Sequence, residues 1–305
     1  MDINFEYYKI FYYVAKYRNI TKAATAMGSN QPNVTRIMKL LESQLNCRLF
    51  VREARGVSLT PEGERLYSHV EIAYRHLWNA QEELFSREGP GCGTIEIGTT
   101  ETALYLFLLE ALHGFKTKYP AIRIKIHNHT TPETVRHLAS GRLDLALITT
   151  PFEAQGTVLC ETVSDFQEIL AGGLQYEQLC KTPLKLKDIR KYPLIGLGRG
   201  SATYEFYRNF FIEHKIDVEP DMEVATSGLM LPLIEHNLGI GFVPEKLALP
   251  FLGEKKLVHI HIDCAVPQRS IQIASDQGRE RSLAAETFYQ YLKTISEKRT
   301  TDAGL

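Results

Sequence analysis

The sequence predicts an α/β chain that carries an all-α winged helix-turn-helix at its N-terminus. Three observations point there. Apolar residues recur at helical spacing in three short segments around a Gly-Ser-Asn break, and a basic hairpin follows. Charge is uneven: residues 1–59 hold nine Lys/Arg against four Asp/Glu, a net of +5, so the remainder carries −6 to reach the total of −1. A basic head on an acidic body is the footprint of a polyanion-binding module joined to a different kind of domain. Beyond a Gly/Pro-rich run at 87–94, strand and helix patterns alternate, which argues for parallel sheets in α/β lobes.

The elements follow in order. Phe5, Tyr8, Phe11, Tyr12 and Ala15 mark a helix over 5–17. Thr21 is a good cap for a second helix over 22–27, which Gly28 and Ser29 end. Ser29 or Asn30 caps a third helix reaching about Gln44. Pro32 is tolerated there because first-turn N–H groups lack an intrahelical partner. Val34, Met38, Leu41 and Leu45 form its buried stripe. Arg55-Gly56 turns between extended pieces at 49–52 and 57–59. Thr60 caps a long helix from Pro61 to about Arg87, with Glu62 and Glu64 in its first turn. Its stripe of Leu66, Val70, Ala73, Leu77 and Leu84 needs a partner, and a second copy of itself would serve. Strands are then expected at 94–100, 122–129, 143–149, 166–171, 194–197, 239–243, 257–262 and 270–275. Helices are expected near 102–118, 132–140, 201–214, 228–237 and 281–297.

Helix, tight turn, helix and basic hairpin have a physical logic. Ala23, Ala24 and Ala26 are small enough to let two helices cross closely. The third helix then turns Gln31, Asn33, Thr35, Arg36 and Lys39 outward. Amides suit adenine, Arg suits guanine, and hydroxyls or Lys suit phosphate. Arg52 and Arg55 in the hairpin suit phosphates or a narrow minor groove.

Other chemistry finds little support. The longest apolar stretch, 103–109, is far short of the ~20 residues a membrane helix needs. With no recognisable signal peptide, a cytoplasmic location is expected. Five scattered cysteines without a CxxC pair argue against a disulfide scaffold or a zinc site, and spacing alone does not pair Cys160 with Cys180. His127/His129 and His259/His261 lie on strand polar faces without an evident third ligand, so no metal is expected. There is no P-loop, GxGxxG or G-x-S-x-G, and no cofactor or catalytic residue is assigned.

The stretch "ITKAATAMGSNQPNVTRIMKLLESQLNCRLFVREARGVSLTPEGE" resembles the N-terminal domain of LysR-type transcriptional regulators. The resemblance rests on T-x-A-A-x-x-M, the Q-P after the turn, T-R-x-M-x-x-L-E, L-x-x-R-L-F-x-R and L-T-P-E-G. Weaker patterns continue it through "YPAIRIKI", "LASGRLDLALIT" and "NLGIGFVPEKLA". It implies a DNA-binding domain over 1–60, a linker and dimerisation helix with hinge over 61–90, and a two-lobed effector domain over 91–300, similar to periplasmic binding proteins. Lobe one would take about 91–162 plus 267–300, and lobe two about 163–266. It further implies that Gln31, Pro32, Asn33, Thr35, Arg36, Lys39, Arg52 and Arg55 meet DNA. Three positions depart from the family pattern: Asn33 stands where a small residue is common, and Ile37 and Leu40 where polar or basic residues are usual; Ile37 either meets a thymine methyl or packs, with Leu40, on another element. A homodimer through helix 61–87, assembled further into a tetramer, and an inverted-repeat operator are the expected partners, together with an unidentified small-molecule effector.

In such lobes ligands sit at the carboxyl ends of strands, in the crevice between them. The candidates there are Thr100, Glu101, Thr102 and Thr131 in one lobe, and Arg199, Ser201, Thr203, Thr226 and Ser227 in the other. Several helix N-termini favour a small anion, while Glu101 argues against one and Arg199 would offset it. Residues 149–156 and 263–268 are expected to be the two lobe crossings. The alternative class is an α/β enzyme or small-molecule-binding protein whose helical head does not read DNA.

Overall fold

The computed structural model describes residues 3–85, 92–154 and 156–302. They fall into two compact units, one ending at Ser86 and the other beginning at Arg87. Most of the run at 87–94 lies outside the described residues, which resume at Cys92.

The first unit contains α1 (Phe5–Tyr17), α2 (Ile20–Ala26), α3 (Gln31–Leu45), the hairpin β1 (Phe50–Glu53) and β2 (Gly56–Leu59), and α4 (Pro61–Phe85). Asn caps set its helix starts. Asn4 accepts from the Glu6 N–H, Asn19 from Lys22 and Asn30 from Asn33. The second helix therefore starts earlier than Thr21, which lies inside it and accepts at its carbonyl from the Thr25 hydroxyl. α1 and α3 end on Arg18 and Asn46, both left-handed, which stops each helix within one residue. Ala23 and Ala24 are buried against Phe11, Val14 and Val34, as their small size requires, but Ala26 is exposed and takes no part. Ile37 joins Val34, Met38 and Leu41 inside, while Leu40 stays at the surface.

Two glycines let the hairpin close on this core. A Cβ on Gly56, at φ +125°, would lie 2.4 Å from the Arg18 carbonyl oxygen. One on Gly63 would lie 2.2 Å from the Leu49 carbonyl oxygen, so α4 can meet β1 only at a glycine. Thr60 caps α4 through the Gly63 N–H (3.0 Å) and donates to the Arg48 carbonyl (2.7 Å). Leu66, Tyr67 and Val70 pack on the head core, but Leu77 and Trp78 further along are 47% and 50% exposed.

The second unit runs β3 (Thr94–Thr99), α5 (Glu101–Ala103), a π turn (Leu104–Leu108), α6 (Leu109–Lys118), β4 (Arg123–Asn128), α7 (Thr131–Ala139), β5 (Leu145–Thr149) and β6 (Val158–Phe166). It continues with β7 (Glu168–Gly173), two 3-10 turns, β8 (Ile195–Leu197), α8 (Ala202–Glu213), β9 (Met222–Val224), a 3-10 turn (Ser227–Leu229), α9 (Met230–Glu235), β10 (Ile240–Pro244), α10 (Glu245–Gly253) and β11 (Leu257–His259). It closes with β12 (Arg269–Asp276) and α11 (Leu283–Asp302).

One lobe holds a five-stranded sheet in the order β4-β3-β5-β12-β6. The other holds β10-β7-β11, with the β8-β9 pair attached through a bridge from Leu194 to Ile240. β3 is parallel to β4 and β5, as the alternation predicted, and β8 is parallel to β9, a short strand the sequence reading did not expect. β12 and β7 are antiparallel to their neighbours. Both follow a lobe crossing rather than a helical crossover, so nothing in the local alternation marks their direction.

The strand expected at 166–171 is two strands broken at Gln167. β6 belongs to the first lobe's sheet, so the segment 149–156 is not a crossing; the chain leaves that lobe between Phe166 and Glu168. β6 escaped the sequence reading because it is an edge strand, "VLCETVSDF", exposing polar residues on much of its length. It is also where a β-bulge interrupts pairing with β12. Each lobe is built on buried aliphatic and aromatic clusters, around Phe107, Phe115, Ile273 and Phe288 in one and around Ile189, Phe210, Phe242 and Ile234 in the other.

Candidate nucleic-acid interface and ligand cleft

On α3 the inward stripe leaves a polar outer face. Gln31, Pro32, Arg36 and Lys39 are exposed, and Asn33 and Thr35 half-buried. Arg52 and Arg55 are exposed on the hairpin. Asn33 is held by its amide to the Ser29 hydroxyl (3.3 Å) and accepts from Arg36 Nη2 (3.2 Å), which steadies the guanidinium one turn away. Among the described residues, Lys39, Arg52 and Arg55 make no side-chain hydrogen bond or ion pair. The single acid of α3 has a structural task that the sequence reading missed. Glu42 Oε1 accepts from the backbone N–H of Leu49 (2.7 Å) and Phe50 (3.2 Å), fastening α3 to the first wing strand.

In the second unit a cleft of about 650 Å³, measured out to its mouth, lies between the lobes. It gathers Thr100, Glu101, Thr102 and Thr131 from one lobe and Ser201, Thr203, Thr226 and Ser227 from the other. Arg199 is not among its walls. Its side chain is largely exposed and pairs with Glu219 at 3.4 Å.

The hydroxyls are mostly committed. Thr100 caps the first turn of α5 through the Ala103 N–H, and Ser201 caps α8 through Tyr204 (3.1 Å). Thr131, 1% exposed, is engaged with the Thr149 backbone. The remaining helix starts are capped by carboxylates. Glu133 accepts from the N–H and hydroxyl of Thr130, bonds that hold its carboxyl below the usual range. Glu101 reaches across the cleft to the Gly228 N–H at 2.6 Å, beside a Thr102–Ser227 hydroxyl contact of 3.2 Å. Each of these helix starts therefore has one backbone N–H taken by a side chain of the protein.

Behind the cleft wall lies a buried network that sequence reasoning missed altogether. Arg269, 2% exposed, pairs with Glu168 at 3.0 Å and donates to the Thr150 carbonyl (2.8 Å) and the Thr203 hydroxyl (3.0 Å). Phe166 and Phe206 lie against the guanidinium with ring centres at 5.3 and 4.9 Å. Tyr207 donates to Glu168 at 2.7 Å, and burial together with that carboxylate pushes its phenol well above the ordinary value. The pair stands at the two lobe crossings, one residue opening β7 and the other opening β12. The available signal was a single charged residue opening the otherwise apolar β7; β12, which also carries Gln272 and Asp276, offered none.

The remaining candidates are accounted for. His127 Nε2 is 2.6 Å from Glu96, and His129 packs edge-on against His137. Among the described residues no cluster of three His, Cys, Asp or Glu is arranged to hold a metal ion. Cys160 and Cys180 stand in different lobes as free thiols, and burial raises both above the ordinary thiol value. Among the described residues no helix is long and apolar enough to cross a membrane.

Comparison with known proteins agrees with both halves. The family described as bacterial regulatory helix-turn-helix protein, lysR family, matches residues 5–64, and the LysR substrate binding domain matches residues 88–296. The HTH-type transcriptional regulator YofA of Bacillus velezensis is 28% identical, over 82% of this chain and 83% of its own. The regulator CzcR of Bacillus subtilis is 26% identical over 95% of this chain and 96% of its own. Full-length CbnR in complex with its target DNA shares the fold at a TM-score of 0.73 and 19% identity, covering 96% of this chain and all of its own. A full-length OxyR variant of Pseudomonas aeruginosa does so at 0.66 and 16%, over 97% of each chain. A helix-turn-helix head that leaves Lys39, Arg52 and Arg55 unpaired, followed by two lobes around a polar cleft, matches both family descriptions over almost the whole sequence: the chain belongs to the LysR family of bacterial helix-turn-helix transcriptional regulators.

Proposed function

We propose that the head reads DNA with Gln31, Pro32, Asn33, Thr35, Arg36 and Lys39 in a major groove and with Arg52 and Arg55 on the flanking backbone. The observation that carries this is the unpaired state of Lys39, Arg52 and Arg55 beside an α3 whose apolar residues all face inward except Leu40. Ile37 is buried, so it supports the head core rather than a thymine methyl. Residues 1–60 serve as the DNA module and 61–90 as linker and dimerisation helix, with exposed Leu77 and Trp78 as the contact with a second copy. A tetramer on an inverted-repeat operator extends the same symmetry. The cleft of the body, residues 91–300, takes a small-molecule effector. The effector changes lobe closure, and so the spacing of paired heads. The chain works in the cytoplasm and catalyses nothing.

The test is binding of the purified protein to the DNA upstream of its own gene, by mobility shift and footprinting over a salt series. A protected inverted repeat whose affinity falls steeply with salt is expected. Protection no better than on unrelated DNA at every salt concentration would leave the head without a demonstrated target.

A further inference from the structure

A second cavity opens off the cleft into the lobe of α8 and α9. It spans about 790 Å³ out to its mouth and shares Thr102, Leu197, Thr203 and Ser227 with the cleft. Beyond these its walls are largely apolar, with Phe211, Met230, Leu231, Phe242 and Leu247 among them. A ligand seated among the cleft hydroxyls can therefore extend an apolar body past these shared residues into the chamber.

The charge around the seat is one-sided. The cleft walls include Glu101, Glu133 and His129, and neither Lys nor Arg. In the adjoining chamber Glu168 is neutralised by buried Arg269, Glu219 is held by Arg199, and Arg208 by Glu205. Glu101 and Glu133 enter no ion pair among the described residues. Glu101 uses only Oε2, on the Gly228 N–H, and its Oε1 accepts no hydrogen bond among those residues. A carboxylate ligand would face this oxygen across a seat whose walls hold neither Lys nor Arg. An ammonium group would find in it a charged acceptor, with hydroxyls beside it.

We propose that the effector of this chain is an amphipathic amine, its ammonium group seated at Glu101 and its apolar body in the chamber lined by Phe211, Met230 and Leu247. The proposal rests on the reading of the cleft as the effector site, and names the chemical class that site takes.

Calorimetric titration of the full-length protein, without DNA, with hexylamine, hexan-1-ol and sodium hexanoate at pH 7 tests it. Hexylamine is expected to bind about tenfold or more tightly than hexan-1-ol, the size of a charge-assisted hydrogen bond, and hexanoate more weakly than either. Glu101→Gln, which keeps an acceptor for Gly228, is expected to bring hexylamine to the level of hexan-1-ol. Leu247→Trp is expected to weaken both hexyl compounds while leaving ethylamine unchanged. Hexanoate binding as tightly as hexylamine overturns the proposal, as does failure of all three to bind. The ranking of the three head groups on the unaltered protein needs no variant to fold. Because no DNA is present, this outcome is independent of whether the head binds its operator.

Discussion

The reading helix and the ligand cleft both gather polar residues around helix ends, and use them in opposite ways. On the head, asparagines cap the helices and Lys39, Arg52 and Arg55 remain unpaired at the surface. In the cleft, hydroxyls and carboxylates cap the helices themselves, and Arg269, behind its wall, is buried on Glu168. What separates the two is which charges await a partner. Unpaired cations on a face with a well-packed reverse side are suited to an external polyanion. A cleft walled by Glu101 and Glu133, with neither Lys nor Arg, has little pull on an anion.

Four substitutions probe this contrast. The largest effect is expected from Glu168→Ala, which leaves Arg269 buried and uncompensated. The cost to the body is about 3–5 kcal/mol, read as the fall in the urea midpoint of a body-specific probe. Replacing both partners by apolar residues should cost much less, and a loss below about 1 kcal/mol for the single change would mean that the pair does not hold the crossings together.

The next is Arg36→Ala. Loss of about 1–3 kcal/mol of operator affinity, with unchanged circular dichroism and unchanged affinity for unrelated DNA, is expected. Lys39→Ala should instead weaken all sequences and lower the slope of log affinity against log salt by about 0.9. Identical behaviour of the two variants would remove the distinction between base-reading and phosphate-binding positions on α3.

The smallest effect concerns Glu96, on the outer side of the first lobe. Burial raises its pKa, but hydrogen bonds from Lys125 and His127 at 2.6 Å outweigh that and leave it lowered. A folded value below the unfolded one stabilises the body above the unfolded value, about 4.3, and this contribution fades as pH falls through the folded value. Glu96→Gln should therefore lower the body's stability at pH 7 and make little difference near pH 3, as followed by urea melts at both. An equal deficit at both pH values would point to lost packing rather than lost charge.

How much was legible beforehand differs between the two regions for a physical reason. In the head, periodicity, caps and turn residues act within a few positions of one another, so α1, α3 and the hairpin could be read along the chain. The start of α2 was misplaced because Asn19 and Thr21 are both capable caps and only the backbone decides between them. Ile37 was ambiguous because one apolar residue beside a stripe has two possible neighbours. In the body, the parallel strands β3, β4, β5 and β8 followed from alternation, but the three-residue β9 was too short to read. The edge strand β6 did not, because a strand buried on little of its surface lacks a period-2 signal.

Arg199 looked like a cleft residue because it precedes a helix start, yet a long exposed side chain takes the nearest acid, here Glu219. Glu101 was visible as a carboxylate near a strand end. That it reaches Gly228, 127 positions away, was not.

The sequence by itself determined the helical head, its outward polar face, the long helix and the alternating body, because those depend on short-range spacing and on which residues avoid water. The tertiary structure alone decided that the cleft's helix ends are self-capped, that Arg269 and Glu168 meet across 101 positions, and that an apolar chamber opens beside the hydroxyls. Those features depend on where two lobes bring distant residues, and neither composition nor local spacing carries that distance.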